Sequence, residues 1–528
     1  MENADDLFSR LEQLNEIGTA LSVESQLPVL FEKIVVAAKR ITHADAGTLY
    51  LVSDDRRRLQ FEIVRTDSLA IALGGTGAPM PRDKLPDLPL FLDDGSPNHA
   101  MVAVHAAVTG QTVNIADAYR AEGFDFSGTR EFDLRNGYRS CSFLTVPMKD
   151  HEGEVIGILQ LINAIDQRTG QLGFFSQADQ RLAESLASQA AIALSNRQLI
   201  QQLEALFESF IKLINLAIDE KSPYTGGHCQ RVPELTMMLA EAADAATEGP
   251  LADFKLTDKD RYELRIAALL HDCGKITTPV HIVDKATKLQ TIFDRIHLID
   301  ARFEVVMRDA EIRKWKSIAE GNAPAEAERA HVDFCQKVTV DRSILHRANL
   351  GSEKMADEDV EHIHRIASEY RWTNSDGLES PFLSDDEIEN LTIRAGTLTA
   401  GERETINHHI VATIRMLEQL PWPRHLKNVP EYAGGHHERM DGKGYPKGLK
   451  REEMSWQARI MGIADIFEAL TAKDRPYKDG MKLSQALAIL QRFSLNGHID
   501  PALHDVFVTS EVYRRYASAF LKTHQVDR

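Results

Sequence analysis

LRIAALLHDCGK, residues 264–275, is the stretch from which this chain is best read. An apolar helical run ends on an adjacent His271-Asp272 pair, followed by Cys273-Gly274-Lys275. A charged pair at the end of a buried apolar helix is costly unless it is paired or metal-bound. Similar chemistry recurs on both sides of it. His228 lies in TGGHCQRV (225–232), His409 in ETINHHIVATI (404–414), His436-His437-Glu438 in GGHHERMDGKGYPKG (434–448), and Asp465 in GIADIFEAL (462–470). Neutral imidazole and carboxylate suit divalent Fe, Mn, Co, Ni and Zn. A carboxylate between two such ions can bridge them, and two ions can clamp both oxygens of a phosphoryl transfer. A lone His-Asp is usually a surface or capping pair, and a lone His-His a loop pair. Their conjunction in one helical region is what points to metal. His408 competes with His409 but lies off the apolar stripe, so it is expected to face solvent.

From residue 204 onward the periodicity is helical, as in GERETINHHIVATIRMLEQL and RIMGIADIFEALT. Residues 286–400 are charge-rich and differ in texture, which predicts a helical insertion. Upstream the pattern changes. Residues 8–45 read as helix. Short β-type runs follow at 46–52, 59–64, 112–115, 141–148 and 155–162, with Glu152-Gly153 predicting a hairpin. Helix returns at 179–199. The expected fold class is multidomain: an α+β domain with an antiparallel sheet, then an all-α domain carrying a helical insertion. Its expected limits are 8–197, a linker helix over 198–213, and 214–520 with 286–400 inserted. No Pro or Gly interrupts 177–218, where Leu182, Leu186, Leu199, Leu203 and Leu206 keep a helical period. Both an ordinary connecting helix and a parallel dimer seam are open readings of that stretch.

Composition narrows the partners. The 61 Lys and Arg against 79 Asp and Glu leave a net charge of −18. That surface is poorly suited to duplex nucleic acid or an anionic membrane. The 4 cysteines form no CxxC and no disulfide framework, which suits a reducing compartment. No run of about 18 apolar residues is present, and the acidic start MENADDLFSRLEQLNEIG lacks secretory character. The expectation is a cytoplasmic protein with neither nucleic acid nor membrane as partner.

HDCGK followed by HHERMDGKGYPKG resembles the HD-GYP family, a branch of the HD-domain metal-dependent phosphohydrolases. YTGGHxxRV at 224–232, ADxxxALTxxDRPYK at 464–478 and GHIDPAL at 497–503 fit the same pattern. The resemblance covers about 214–285 and 400–510. It implies metal-dependent hydrolysis of cyclic di-GMP to linear pGpG, and in some members on to GMP. It makes His228, His271, Asp272, His409, His436, His437 and Asp465 metal ligands, with Asp272 bridging two divalent ions, Fe or Mn. His271, Asp272 and Lys275 would form the catalytic group, Lys275 holding the scissile phosphate. Lys275, Arg231, Arg475, Lys478 and Tyr445 would contact substrate. Three departures stand out. Ser222 replaces the Asp that often precedes Pro in the family's DPYT-like segment, Glu468 replaces an Asp, and 138 residues separate His271 from His409. Some members hold a third metal through a Glu four residues before the first histidine. Here Tyr224 occupies that place, and Asp219 and Glu220 read as a solvated helix end, so two metals are expected.

CSFLTVPMKDHEGEVIGILQLINA, with NIADAY at 114–119, resembles the GAF sensory domain over about 8–197. Of the nucleotide-binding pattern found in some GAF domains, Asn163, Phe175 and Asp179 match, while Ala164 and Gln180 do not. Those three are candidate contacts for a small ligand; the alternative is that they only stabilise the fold. The combined expectation is a homodimeric GAF-regulated cyclic di-GMP phosphodiesterase. Two alternatives are a phosphohydrolase acting on another cyclic dinucleotide and a catalytically idle cyclic di-GMP receptor.

Overall fold

The computed structural model describes residues 4–24, 26–221, 227–351, 355–472 and 480–527. The chain divides into two compact units, Met1–Phe207 and Glu208–Arg528.

The first unit is built on an antiparallel sheet of eight strands: β1 (Ala44–Val52), β2 (Arg58–Thr66), β3 (Ile71–Leu73), β4 (Leu88–Pro89), β5 (Val113–Ile115), β6 (Phe143–Lys149), β7 (Val155–Ile165) and β8 (Leu172–Gly173). The main order is β3-β2-β1-β7-β6-β5, with β4 on β2 and β8 on β7. The helices are α1 (Ala4–Val23), α2 (Leu27–Thr42), α3 (Val102–Thr109), α4 (Ser127–Asn136) and α5 (Gln177–Lys221). Successive strand side chains point to opposite faces. Leu49 and Leu159 therefore join the core formed with α2 and α5, while Tyr50 and Ile158 join the core beneath α3. The predicted hairpin forms, with Gly153 at φ 84° in its turn. The helix expected over 8–45 is instead two helices, and Pro28 in the first turn of the second marks its start.

The second unit is helical. It contains α6 (His228–Asp244), α7 (Asp258–Leu270), α8 (Val280–Val283), α9 (Ile296–Ala319), α10 (Pro324–Asn349), α11 (Asp357–Glu369), α12 (Asp385–Leu391), α13 (Ala400–Glu418), α14 (Val429–Gly434), α15 (Trp456–Thr471), α16 (Leu483–Leu495), α17 (Pro501–Thr509) and α18 (Val512–Phe520). The segment read as an insertion has its own core, including Ile299, Phe303, Val338, Ile363 and Phe382. It is not wholly helical. Arg371–Thr373 pairs with Glu379–Pro381 as a small hairpin, β9 and β10, closed by Asn374 and by Gly377 at φ 76°.

Two buried lysines tie the base of this segment together. Lys285 Nζ donates to Asn390 Oδ1 of α12 and to Glu402 of α13, at 2.8 and 2.7 Å. Lys288 Nζ donates to the carbonyls of Leu391 and Ile393.

Candidate metal centre

Each ligand position is fixed by a helix, by a helix end or by a tight turn. His228 opens α6, His271 follows the last residue of α7, His409 lies inside α13, His436 follows α14, and Asp465 lies on α15. Asp272 starts the short 3-10 turn 273–277, which packs on α13. That approach needs Gly274. A Cβ there would lie 2.0 Å from the His409 carbonyl and 2.6 Å from the Thr413 amide nitrogen. The Gly274 amide donates to Thr413 Oγ1 at 2.9 Å, locking the turn against the helix.

The residues converge as two groups, His228/His271/Asp272 and His409/His436/His437, each with ligand atoms within 4.8 Å of one another. Asp272 reaches both. Its Oδ2 is 3.1 Å from His228 Nε2 and its Oδ1 is 3.3 Å from His409 Nε2. Asp465 Oδ1 is 3.3 Å from His228 Nε2 and 3.9 Å from His271 Nε2. All seven sequence-predicted ligands are thus brought to one place. His408, expected to face solvent, is exposed.

A shared device sets the imidazole tautomers. The Nδ1–H groups of His271, His409 and His436 donate to the carbonyls of Ala268, Ile406 and Ala433, each three residues back. His228 Nδ1 donates to Glu468 Oε2 at 2.5 Å. A neutral imidazole that donates through Nδ1 keeps its lone pair on Nε2. The Nε2 lone pairs of His271, His409 and His436 would then face the cluster. Burial lowers the pKa of His228, but its bonds to Asp272, Asp465 and Glu468 raise it well above the ordinary histidine value, so its Nε2 becomes a ligand on giving up that proton. His436 Nε2 and Asp272 Oδ1 are buried without a hydrogen-bond partner. Such orphaned buried atoms call for an explanation, and a divalent cation is one that suits this donor set.

The electrostatics agree. Burial opposes the charge of Asp272, yet Lys275 and His271 hold it well below the usual carboxylate range. Asp465 is likewise lowered against burial by His228. Burial and the neighbouring rings of His437 and His271 keep His436 well below the ordinary histidine value, and burial pushes His437 down to about 4. His436 and His437 are therefore neutral near pH 7, the state in which imidazole is a ligand.

Lys275 pairs with Asp272, one turn away. Burial works against its charge, but Asp272 and Asp465 raise its pKa. Tyr445 stacks on His437, with centroids 4.8 Å apart at 25°. Arg231 Nε donates to Glu468 Oε1 at 2.7 Å, behind His228. Arg475, Lys478, Ser222 and Tyr224 lie outside the described residues. Asp219, read as part of a solvated helix end, is half-buried, and its Oδ1 has no hydrogen-bond partner. Its helix runs on to Lys221 and carries it inward, and burial raises its pKa; Glu220 beside it is exposed. Sequence reading did not give Glu468 a site role. The available signal was its position three residues after Asp465, on the same helix face.

The loop after His437 is also built, not loose. Glu438 accepts from the amides of Lys447 and Leu449 at 2.7 and 2.9 Å. A Cβ on Gly444 would lie 2.4 Å from Glu438 Cα, and Gly442 has φ 77°. Buried Asp500 accepts from Arg451 and Arg459, both at 2.8 Å.

In the first unit, the candidate ligand residues spend their polar atoms on the fold. Asn163 is buried at φ 60°; its amide donates to Tyr138 Oη and the Arg139 carbonyl, and its Oδ1 accepts from the Cys141 amide. Asp179 accepts from the Ser176 amide at the start of α5 and pairs with Arg10. Phe175 belongs to the buried core.

A family model described as GAF domain matches residues 26–194, and two models described as HD domain match 225–334 and 385–503. The chain therefore joins a GAF domain to an HD domain, a metal-dependent type. It is 25% identical over 298 residues to 3′3′-cGAMP-specific phosphodiesterase 3 of Vibrio cholerae, across 56% of this chain and 38% of that protein. It is 44% identical over 115 residues to a cyclic di-GMP phosphodiesterase of Pseudomonas aeruginosa, across 22% of this chain and 27% of that protein. The chain thus spans well under half the length of these curated relatives. Among solved structures, the GAF domain of an Acinetobacter phosphoenolpyruvate-protein phosphotransferase covers 38% of this chain and 99% of its own, at 17% identity and TM-score 0.26. Among the described residues, no helix is long and apolar enough to cross a membrane.

Proposed function

We propose that this chain of a GAF and an HD domain is an HD-GYP-type phosphodiesterase that hydrolyses cyclic di-GMP to pGpG under control of its GAF domain, in the cytoplasm. The observation that carries the reading is the Asp272 carboxylate, with one oxygen toward His228 and the other toward His409. That is the arrangement a bridging ligand requires.

Two divalent ions, when bound, supply Lewis-acid stabilisation and an activated water for attack on phosphorus. His228, His271 and Asp465 would hold one, His409, His436 and His437 the other, and Asp272 both. The Ala268, Ile406 and Ala433 carbonyls and Glu468 keep the four Nε2 atoms turned inward. Lys275 places a positive charge at the cluster edge, where it offsets charge building on the scissile phosphate. Tyr445 holds the His437 ring flat against its own. Arg475 and Lys478 would contact the second phosphate or a guanine.

The Vibrio relative's name favours a second substrate, 3′3′-cGAMP, for the same chemistry. The test is product analysis on both cyclic dinucleotides with protein purified without chelator. The proposal expects linear pGpG from cyclic di-GMP and faster turnover of it than of 3′3′-cGAMP. Preference for 3′3′-cGAMP would replace the substrate and keep the chemistry. Metal-loaded protein that turns over neither would overturn the reading.

A further inference from the structure

We infer that Lys221, the last residue of α5, is a positioning residue for Lys275, an inference that rests on the phosphodiesterase reading above. The part of α5 from Glu208 onward belongs to the second unit. There Ile211, Asn215 and Ile218 are buried, while Phe210, Leu213 and Leu216 are more than half exposed. Residues three and four apart share a helix face. Lys221, three beyond Ile218, is therefore carried on the buried side of the helix.

Its ammonium bonds the main chain of another element. Lys221 Nζ donates to the Lys275 carbonyl at 3.4 Å and to the Ile276 carbonyl. Both carbonyls belong to the 3-10 turn Cys273–Thr277 that follows His271-Asp272. The last carbonyls of a helical turn lack partners within it and carry partial negative charge, so a cation is stabilising there. A lysine at the end of α5 suits the carbonyl end of its own helix for the same reason. This one also reaches across to the turn that carries Lys275.

Lys275 thus lies between two anchors. Before it, the Gly274 amide donates to Thr413 Oγ1 of α13 at 2.9 Å, and Thr277 Oγ1 donates to the Gly274 carbonyl at 2.8 Å. After it, the Lys275 carbonyl accepts from the Thr278 amide at 3.1 Å and from Lys221. Together they fix the backbone from which the Lys275 side chain reaches Asp272. That side chain is a flexible four-carbon stem, so a small rotation of its backbone becomes a larger displacement of its ammonium. A shift of about 1 Å in a group that orients a reaction can cost about 10²-fold in rate. Lys221 bonds the main chain of Lys275, and its effect on the reaction passes through that residue.

Lys221→Met keeps the apolar stem and removes the donor. In the metal-loaded full chain it should lower kcat by about 10- to 100-fold, leave KM little changed and keep the metal. Lys221→Arg, still a cationic donor, should recover most of the rate. The deciding comparison is made in a Lys275→Ala chain. There Lys221→Met should cost less than about twofold, because residues that act as one unit are not additive. Hydrogen exchange across residues 273–278 reads the tie without substrate; it should quicken in Lys221→Met and not in Lys221→Arg. An unchanged kcat, equal losses in the two backgrounds, loss of metal or unchanged exchange would each overturn the proposal. An unsubstituted chain that turns over neither cyclic dinucleotide would overturn the phosphodiesterase reading alone, and exchange would then decide whether Lys221 holds the turn. If Lys221→Met fails to fold, Lys221→Gln, whose amide ends one atom short of the ammonium, takes its place in both measurements.

Discussion

Glu468 Oε2 accepts the Nδ1 proton of His228 at 2.5 Å, and that bond determines which nitrogen of His228 faces Asp272 and Asp465. Arg231 holds the other Glu468 oxygen. Outer partners of this type usually tune metal affinity about 10–100-fold. Glu468→Ala should weaken metal binding on that scale, with Glu468→Gln retaining more because its amide oxygen still accepts. Metal titration of the three proteins checks this; equal affinities would refute the positioning role.

Lys275 sits beside the cluster and is not in either ligand group. Lys275→Ala should keep its metal and lose kcat by about 10²–10³, the scale for removing one group that stabilises transition-state charge. Loss of metal in this variant would instead make Lys275 part of the binding framework.

Gly274 is the point where the His271-Asp272 turn touches α13. The contact is with backbone, at 2.0 Å for a Cβ, so the neighbour cannot move aside as a flexible side chain would. Gly274→Ala should destabilise the second unit by about 1–3 kcal/mol, the usual scale of overpacking, and displace His409 from Asp272. Thermal unfolding with metal titration reads both effects; an unchanged melting curve would count against the tight approach.

Much of this was legible in the residues. The ligand histidines and both acids are separated by helical text, so their types and order pointed to one cluster. The single long helix over 177–218 was equally readable because nothing breaks its period. Other features were not. The β3, β4 and β8 strands have only two or three residues, too short for alternation to register. The α1–α2 break hides inside continuous apolar spacing. Arg231 was expected at the substrate, and its bond to Glu468 was not legible because charge alone does not name the partner. Asp219 looked solvated because its burial depends on how far α5 continues. The inward-turned Nε2 atoms rest on carbonyls three residues back, a bond that side-chain identity does not encode.

Lys288 supplies a pH dependence away from the metal. Burial pushes its ammonium from 10.5 down to about 8. Between those values the unfolded chain binds more protons, so stability rises with pH across that window. Below about pH 8 both states carry the charge and the burial penalty is complete. Unfolding of the 289–391 core, followed by hydrogen exchange, should therefore slow between pH 8 and 10 after correction for intrinsic exchange. Lys288→Met should lose that slope; identical slopes would dismiss Lys288 as its source.

Asp272 would join two metal positions, and metal content per chain measures this directly. Protein purified without chelator should hold two divalent ions. Asp272→Ala should lose at least one of them, together with cyclic di-GMP hydrolysis, while staying helical. A ratio near three in the unsubstituted chain, or an Asp272→Ala protein that keeps both ions and full turnover, would contradict it.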